Sequence, residues 1–136
     1  MRPWLAALAA AMLLASAPAR AQQAITVVVP FAPGGGSDLA MRVLQPELSA
    51  LLGTSIVVKN TAGASGTIGA AEAARAAPDG QTLLFSPVGP MAIQPNLQRG
   101  IRYTAADFAP ICQTTSADVV MMTPRNSGFR TLADVI

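Results

Sequence analysis

The sequence predicts an α/β fold, a parallel sheet between helices built in the order β-α-β-α-β over residues 25–85. Three observations carry that reading. Short runs of β-branched or apolar residues recur at Ile25–Val29, 56–58 and 82–85, each bounded by turn residues. Segments with apolar residues at helical spacing separate them. Glycine-rich turns follow the first two runs, where a crossover helix would begin, and such crossovers are right-handed.

Residues 1–21 read as an export signal rather than part of the fold. Arg2 gives a positive start, residues 4–15 are almost unbroken apolar, and Ala19-Arg20-Ala21 offers a small-x-small cleavage site. The apolar core spans 12 residues, whereas a membrane-spanning helix needs ~20. Gln22, not cysteine, follows the cleavage point, which argues against a lipid anchor. The expected product is an exported protein without stable membrane insertion. Removing Arg2 and Arg20 turns nine basic and seven acidic residues into seven of each, so nothing favours nucleic acid or an anionic membrane.

Ile25-Thr26-Val27-Val28-Val29 is the first strand, stopped by Pro30. Phe31-Ala32-Pro33-Gly34-Gly35-Gly36-Ser37-Asp38 then turns the chain into an apolar segment with helical spacing. The first turn of a helix has N–H groups without intrahelical acceptors and sits at the positive end of the macrodipole. A strand, a glycine turn and a helix start in that order can therefore hold a carboxylate or phosphate without a basic side chain. We read this loop as half of a binding site for an anion. Turning the chain sharply would by itself account for the glycines, although three beside Pro33 exceed what a turn needs. Asp38 reads either as a helix-start residue satisfying N–H groups or as a polar contact to a ligand hydroxyl or amine.

Positions 40, 43, 44, 48, 51 and 52 are apolar on one expected helical face over residues 37–52, with Gly53 suited to the left-handed position past its end. Pro46 should kink or restart that helix. Ile56-Val57-Val58 is the second strand, ending in Lys59-Asn60, and residues 61–67 form another glycine-rich turn. Gly63, Gly66 and Gly69 are explained equally by binding and by close helix–sheet packing. Residues 68–77 are alanine-dense and helical, Pro78-Asp79-Gly80 turns, and 82–85 make the third strand. Ser86, at its end, sits where a hydroxyl could meet a ligand, while Arg42 and Lys59 read as solvated. The turns after all three strands lie at one sheet edge, where open α/β sheets bind ligands. Residues 108–113 and 118–123 are further strand candidates, and 124–128 a connector. Residues 131–136 read as the opening of a helix without a cap, so the chain is expected to be the N-terminal part of a longer protein.

Several chemistries are excluded by composition. With no histidine and one cysteine, neither a Ser-His-Asp or Cys-His arrangement nor a zinc ligand set can be assembled, and no cofactor is implied. Cys112, alone in an apolar run, reads as core. Gly63-Ala64-Ser65-Gly66 is one residue short of a nucleophile elbow. Asp38, Glu47, Glu72, Asp79, Asp107, Asp118 and Asp134 are scattered over different elements, so nothing suggests a paired acid–base site. A dinucleotide loop is the weaker reading of the glycines, because Leu39 occupies the third glycine position and strand two ends in Lys59-Asn60 rather than an acid.

An export signal, a strand and then Pro30-Phe31-Ala32-Pro33-Gly34-Gly35-Gly36-Ser37-Asp38 resembles the P-F-x-x-G-G-x-x-D signature of Bug-type receptors, the extracytoplasmic solute-binding proteins of tripartite tricarboxylate transporters. The similarity continues through residues 56–60, 63–69 and 76–84 to Asp107-Phe108-Ala109-Pro110, in order and at the expected spacing. It implies a two-lobed, type II periplasmic-binding-protein fold that closes on a small carboxylate and delivers it to membrane subunits of a transporter. On that resemblance residues 22–123 are the first lobe, and 124–136 the connector and start of a second. It further implies that backbone groups and ordered water hold the ligand carboxylate. The residues concerned would be Phe31, Ala32, Pro33, Gly34, Gly35, Gly36, Ser37 and Asp38, with Ser86, Pro87, Val88 and Gly89 from the third-strand loop. Lys59 departs from a commonly acidic family position, and family members are more than twice as long. The alternative is an exported α/β enzyme whose catalytic residues lie in a missing C-terminal part.

Overall fold

A computed structural model describes residues 23–118 and 120–136. The expected export signal lies outside the described residues. Three strands, β1 (Ile25–Val29), β2 (Ile56–Asn60) and β3 (Thr82–Leu84), form one parallel sheet in the order β2-β1-β3. Ile25 pairs with Ile56 and Val29 with Asn60, while Thr26 to Val28 pair with Thr82 to Leu84. The central strand is covered on both faces, so Val28 and Val29 are wholly buried, as its continuous β-branched run requires.

Helix α1 (Gly36–Leu52) joins β1 to β2, and helix α2 (Thr67–Ala74) joins β2 to β3. Val27, Val29, Met41 and Ile56 form the core, with Ile25, Leu44, Leu48, Val58, Leu83 and Phe85 packed around it. Strand alternation turns Val28 to the other face, and α2 packs on β1 and β3. Gly53 ends α1 in the left-handed conformation expected for it, at φ 61°.

The inward face of α1 differs from the one the apolar pattern suggested. Met41, Leu44 and Leu48, at i, i+3 and i+7, meet the sheet, whereas Val43, Leu51 and Leu52 are exposed. That stripe is narrower than an arc holding all six expected positions. Gln45 joins it by donating from Nε2 to the Ile56 carbonyl at 2.7 Å. Pro46 lies inside a single unbroken helix. Both Pro46 and Arg42, whose carbonyl loses its usual donor, are exposed, so water can take that hydrogen bond.

Beyond β3 the chain makes a turn of π-helix at Gly89–Ile93, a short helix α3 (Gln94–Leu97) and a 3-10 turn at Ala105–Asp107. The strands expected at 108–113 and 118–123 do not form among the described residues, and the described residues of these segments are exposed apart from a half-buried Phe108. A β-prone run needs a free sheet edge at the right distance, and none of the described strands pairs with it. Cys112, expected in a core, is exposed for the same reason. The helix expected from 131 is one 3-10 turn, Leu132–Asp134, with Asp134 Oδ2 accepting the Arg130 and Thr131 N–H groups at 2.8 and 2.7 Å. Among the described residues no helix is long and apolar enough to cross a membrane.

Candidate functional site

All three strands run the same way, so their carboxyl ends share one edge. In the order β2-β1-β3 the chain leaves β1 to one side and later returns on the other. The crevice between the ends of β1 and β3 is thus a topological switch point, the place where such sheets bind ligands. The loops that frame it are 30–38 and 85–89.

The first of these loops is held from within. Gly34 takes φ 83°, and its N–H donates to Asp38 Oδ2 at 2.9 Å. Gly35 N–H reaches the Ala32 carbonyl at 3.4 Å, and Gly35 O accepts Leu39 N–H at 2.9 Å. Two of the loop's N–H groups are therefore already used. Those of Gly36, Ser37 and Asp38 have no acceptor among the described residues, as the first turn of a helix dictates. These three donors sit at the positive end of a 17-residue helix, Gly36 exposed, Ser37 half-buried and Asp38 buried.

Asp38 is 2% exposed, and its carboxylate is fully engaged by protein groups. Besides Gly34, Arg42 Nε donates to Oδ2 at 2.9 Å and Asn60 Nδ2 to Oδ1 at 3.0 Å. Asn60 Nδ2 also reaches the Phe31 carbonyl at 3.1 Å, and Arg42 Nη2 reaches Asn60 Oδ1 at 3.4 Å. The Arg42 hydrogen bond, then the Gly34 N–H, hold the Asp38 pKa down at about 2 against the opposing effect of burial. In this geometry the Asp38 side chain braces the loop from behind, through the Gly34 N–H ahead of the helix rather than through an N–H of the helix itself. Arg42, expected to be solvated, is half exposed yet committed to this carboxylate. No local sequence signal gives Asn60 this part, because its partners lie 22 and 29 residues earlier in the chain. The i, i+4 spacing of Asp38 and Arg42 was a usable signal for that pair.

The middle loop, 61–66, whose glycines read equally as binding or packing positions, lies against the other two loops. Gly63, Ala64, Ser65 and Gly66 all have positive φ. At Gly66 a Cβ would lie 2.5 Å from Pro90 Cγ and 3.1 Å from Phe31 Cζ. The three strand-end loops thus meet at one glycine, Phe31 coming from the first and Pro90 from just past the third. Gly69 has a packing reason instead, since a Cβ there would stand 2.6 Å from the Thr61 carbonyl and 2.8 Å from Pro30 Cα. Lys59, also expected to be solvated, pairs with Glu72 at 2.8 Å, and Thr61 Oγ1 donates to the same carboxylate at 3.0 Å. The Lys59 hydrogen bond lowers the Glu72 pKa and ties β2 to α2.

In the third loop the half-buried Ser86 hydroxyl donates locally to the Pro87 carbonyl at 3.0 Å. Pro87 and Val88 are exposed, and Gly89 opens the π-helical turn. Pro90 is fully buried, and its carbonyl accepts the Tyr103 hydroxyl at 2.6 Å. Tyr103 packs edge-on against Phe108, with centroids 6.0 Å apart, and burial raises its pKa. Tyr103 is a second support without a local sequence signal, since its acceptor lies 13 residues earlier.

Residues 40–136 match the model of the tripartite tricarboxylate transporter family receptor, TctC. The chain belongs to that family. It is 40% identical over 101 residues to BugT of Bordetella pertussis, covering 73% of this chain and 31% of that protein. It is 33% identical over 112 residues to a Pseudomonas protein encoded between tcbD and tcbE, covering 82% and 33%. Among solved structures, MatC from Rhodopseudomonas palustris with bound malate is similar at 40% identity and a TM-score of 0.61, over 64% of this chain and 30% of that one. A periplasmic transporter matches at 45% identity and 0.60, over 64% and 29%. An R. palustris protein with adipate matches at 33% identity and 0.59, over 64% and 29%. The chain spans about a third of the length of these curated relatives. The family is one of binding receptors rather than enzymes, which sets aside the enzyme alternative.

Proposed function

We propose that this chain supplies the first wall of the carboxylate site of a periplasmic solute-binding receptor serving a tripartite tricarboxylate transporter. The observation that carries the reading is the set of N–H groups of Gly36, Ser37 and Asp38, without acceptors among the described residues, at the start of α1 beside the β1/β3 crevice. Their charge complement is a carboxylate, and the loop that presents them is braced by Asp38 and Asn60 before any ligand arrives. The malate and adipate held by two similar proteins, both dicarboxylates, support the same ligand class. On this reading residues 1–21 direct export and are removed, 22–123 belong to the first lobe, and 124–136 lead toward a second.

Ser86 to Gly89 follow the carboxyl end of β3, and on this reading they would contribute from the other side. Main-chain recognition reads the carboxylate group and leaves choice among acids to the facing wall. One wall leaves the ligand in water, where each hydrogen bond is worth less, so affinity should be weak in this chain and tight in a two-lobed receptor. Titrating malate, succinate, adipate and citrate while following backbone amide resonances tests this. Shifts concentrated at Gly36 to Asp38 and 86–89 are expected; shifts elsewhere, or tight binding indifferent to the second lobe, would overturn it.

A further inference from the structure

A second surface lies beside this site and shares none of the residues 31–38 or 86–89. One face of α2, through Thr67, Ile68, Ala71 and Arg75, and the segment 98–103 enclose a half-open cleft of about 280 Å³. Three of its lining residues are arginines, Arg75, Arg99 and Arg102, and none is acidic. Among the described residues no guanidinium of the three makes a hydrogen bond or short ion pair; Arg75 is near enough to Glu72 to help lower its pKa, but the hydrogen bonds of that carboxylate go to Lys59 and Thr61. Arg99 and Arg102 thus have no carboxylate partner and Arg75 only a shared one, which leaves the cleft a net positive surface complementary to an anionic partner. Ile68, Ala71 and Ile101 add an apolar component between the arginines.

We propose that this cleft docks an acidic peptide segment of a protein partner, one that places carboxylates on the three arginines and an apolar side chain against Ile68. A small anion would use the charges and leave the apolar lining idle. An open cleft also buries too little of a small molecule, since small-ligand sites are concave and enclose most of their ligand. Arginine suits the role because its planar fork takes a carboxylate bidentately. The surface is independent of the carboxylate crevice, so the two readings fail separately.

The test uses the full chain and a short fluorescein-labelled peptide of alternating glutamate and leucine, followed by anisotropy. Binding should weaken as salt rises. R99Q and R102Q should each weaken it about threefold, and R75Q/R99Q/R102Q should abolish it. R99K/R102K, which keeps the charge, should retain part of it. All variants should keep the malate-induced amide shifts at Gly36 to Asp38. The proposal is overturned if the peptide does not bind, or if R125Q/R130Q, which removes charge outside the cleft, weakens it as much. Displacement of the peptide by equimolar citrate would also overturn it, in favour of a small-anion site.

Discussion

Asn60 and Asp38, 22 residues apart, are joined at 3.0 Å from Nδ2 to Oδ1 across the ends of β2 and α1. The same nitrogen holds the Phe31 carbonyl at 3.1 Å. One side chain thus fixes both ends of the glycine loop. Parallel pairing puts it there, since Asn60 is in register with Val29, the last residue before the loop. Asn60→Ala removes both hydrogen bonds and leaves a part-buried carbonyl unpartnered, so it should lower stability by about 1–3 kcal/mol in urea unfolding. Asn60→Asp should be worse, because a second carboxylate would face Asp38. Equal stability of all three proteins would remove Asn60 from this role.

The strands, the helix over 36–52 and its glycine end were legible because each depends on residues near one another in sequence: β-branched runs, apolar periodicity, Gly53. The bracing of the loop was not. It depends on which residue of β2 stands beside Val29, and register is settled only when the sheet assembles. Tyr103 escaped notice for a similar reason, since its acceptor is a carbonyl 13 residues earlier. The stretches 108–113 and 118–123 show the opposite error. Their composition favours a strand, but pairing needs an edge that composition does not report.

The acid limb of stability follows from Asp38. Its folded pKa, about 2, lies below the ordinary value of 3.8. A depressed carboxylate contributes stability that is fully present above the unfolded pKa and lost as pH falls through the folded one. The chain should therefore lose this contribution between about pH 4 and pH 2. Glu72 and Asp134, also lowered, act in the same direction. Asp38→Asn cannot titrate, so urea midpoints measured down this range should fall less steeply for it than for the parent. Parallel pH profiles would show that the Arg42 and Gly34 hydrogen bonds do not hold the charge.

Gly66 and Gly80 separate backbone strain from crowding. Both have positive φ, 89° and 78°, and each alanine would meet the left-handed penalty of about 1–2 kcal/mol. A Cβ at Gly80 meets nothing within 4 Å, whereas at Gly66 it meets Pro90 and Phe31. Pro90 is buried and its ring cannot swing aside, so Gly66→Ala should add an overpacking cost of about 1–3 kcal/mol. It should also move the amide resonances of loops 30–38 and 85–90, which Gly80→Ala should leave in place. Equal effects of the two variants would mean that the three loops do not meet at Gly66.

Tyr103→Phe tests the support beneath the third loop with almost no change of shape. The ring keeps its burial and its edge-on contact with Phe108, while the Pro90 carbonyl loses the hydroxyl it accepts at 2.6 Å. A buried carbonyl left without its donor costs about 1–3 kcal/mol. The loss should appear as a lower urea midpoint with an unchanged slope, because the surface exposed on unfolding is the same. Pro90 also packs against Gly66, so loosening its carbonyl should broaden resonances at 63–66 as well as at 86–89. A midpoint equal to the parent's would mean that water satisfies Pro90 in place of Tyr103, and the third loop would then be held by packing alone.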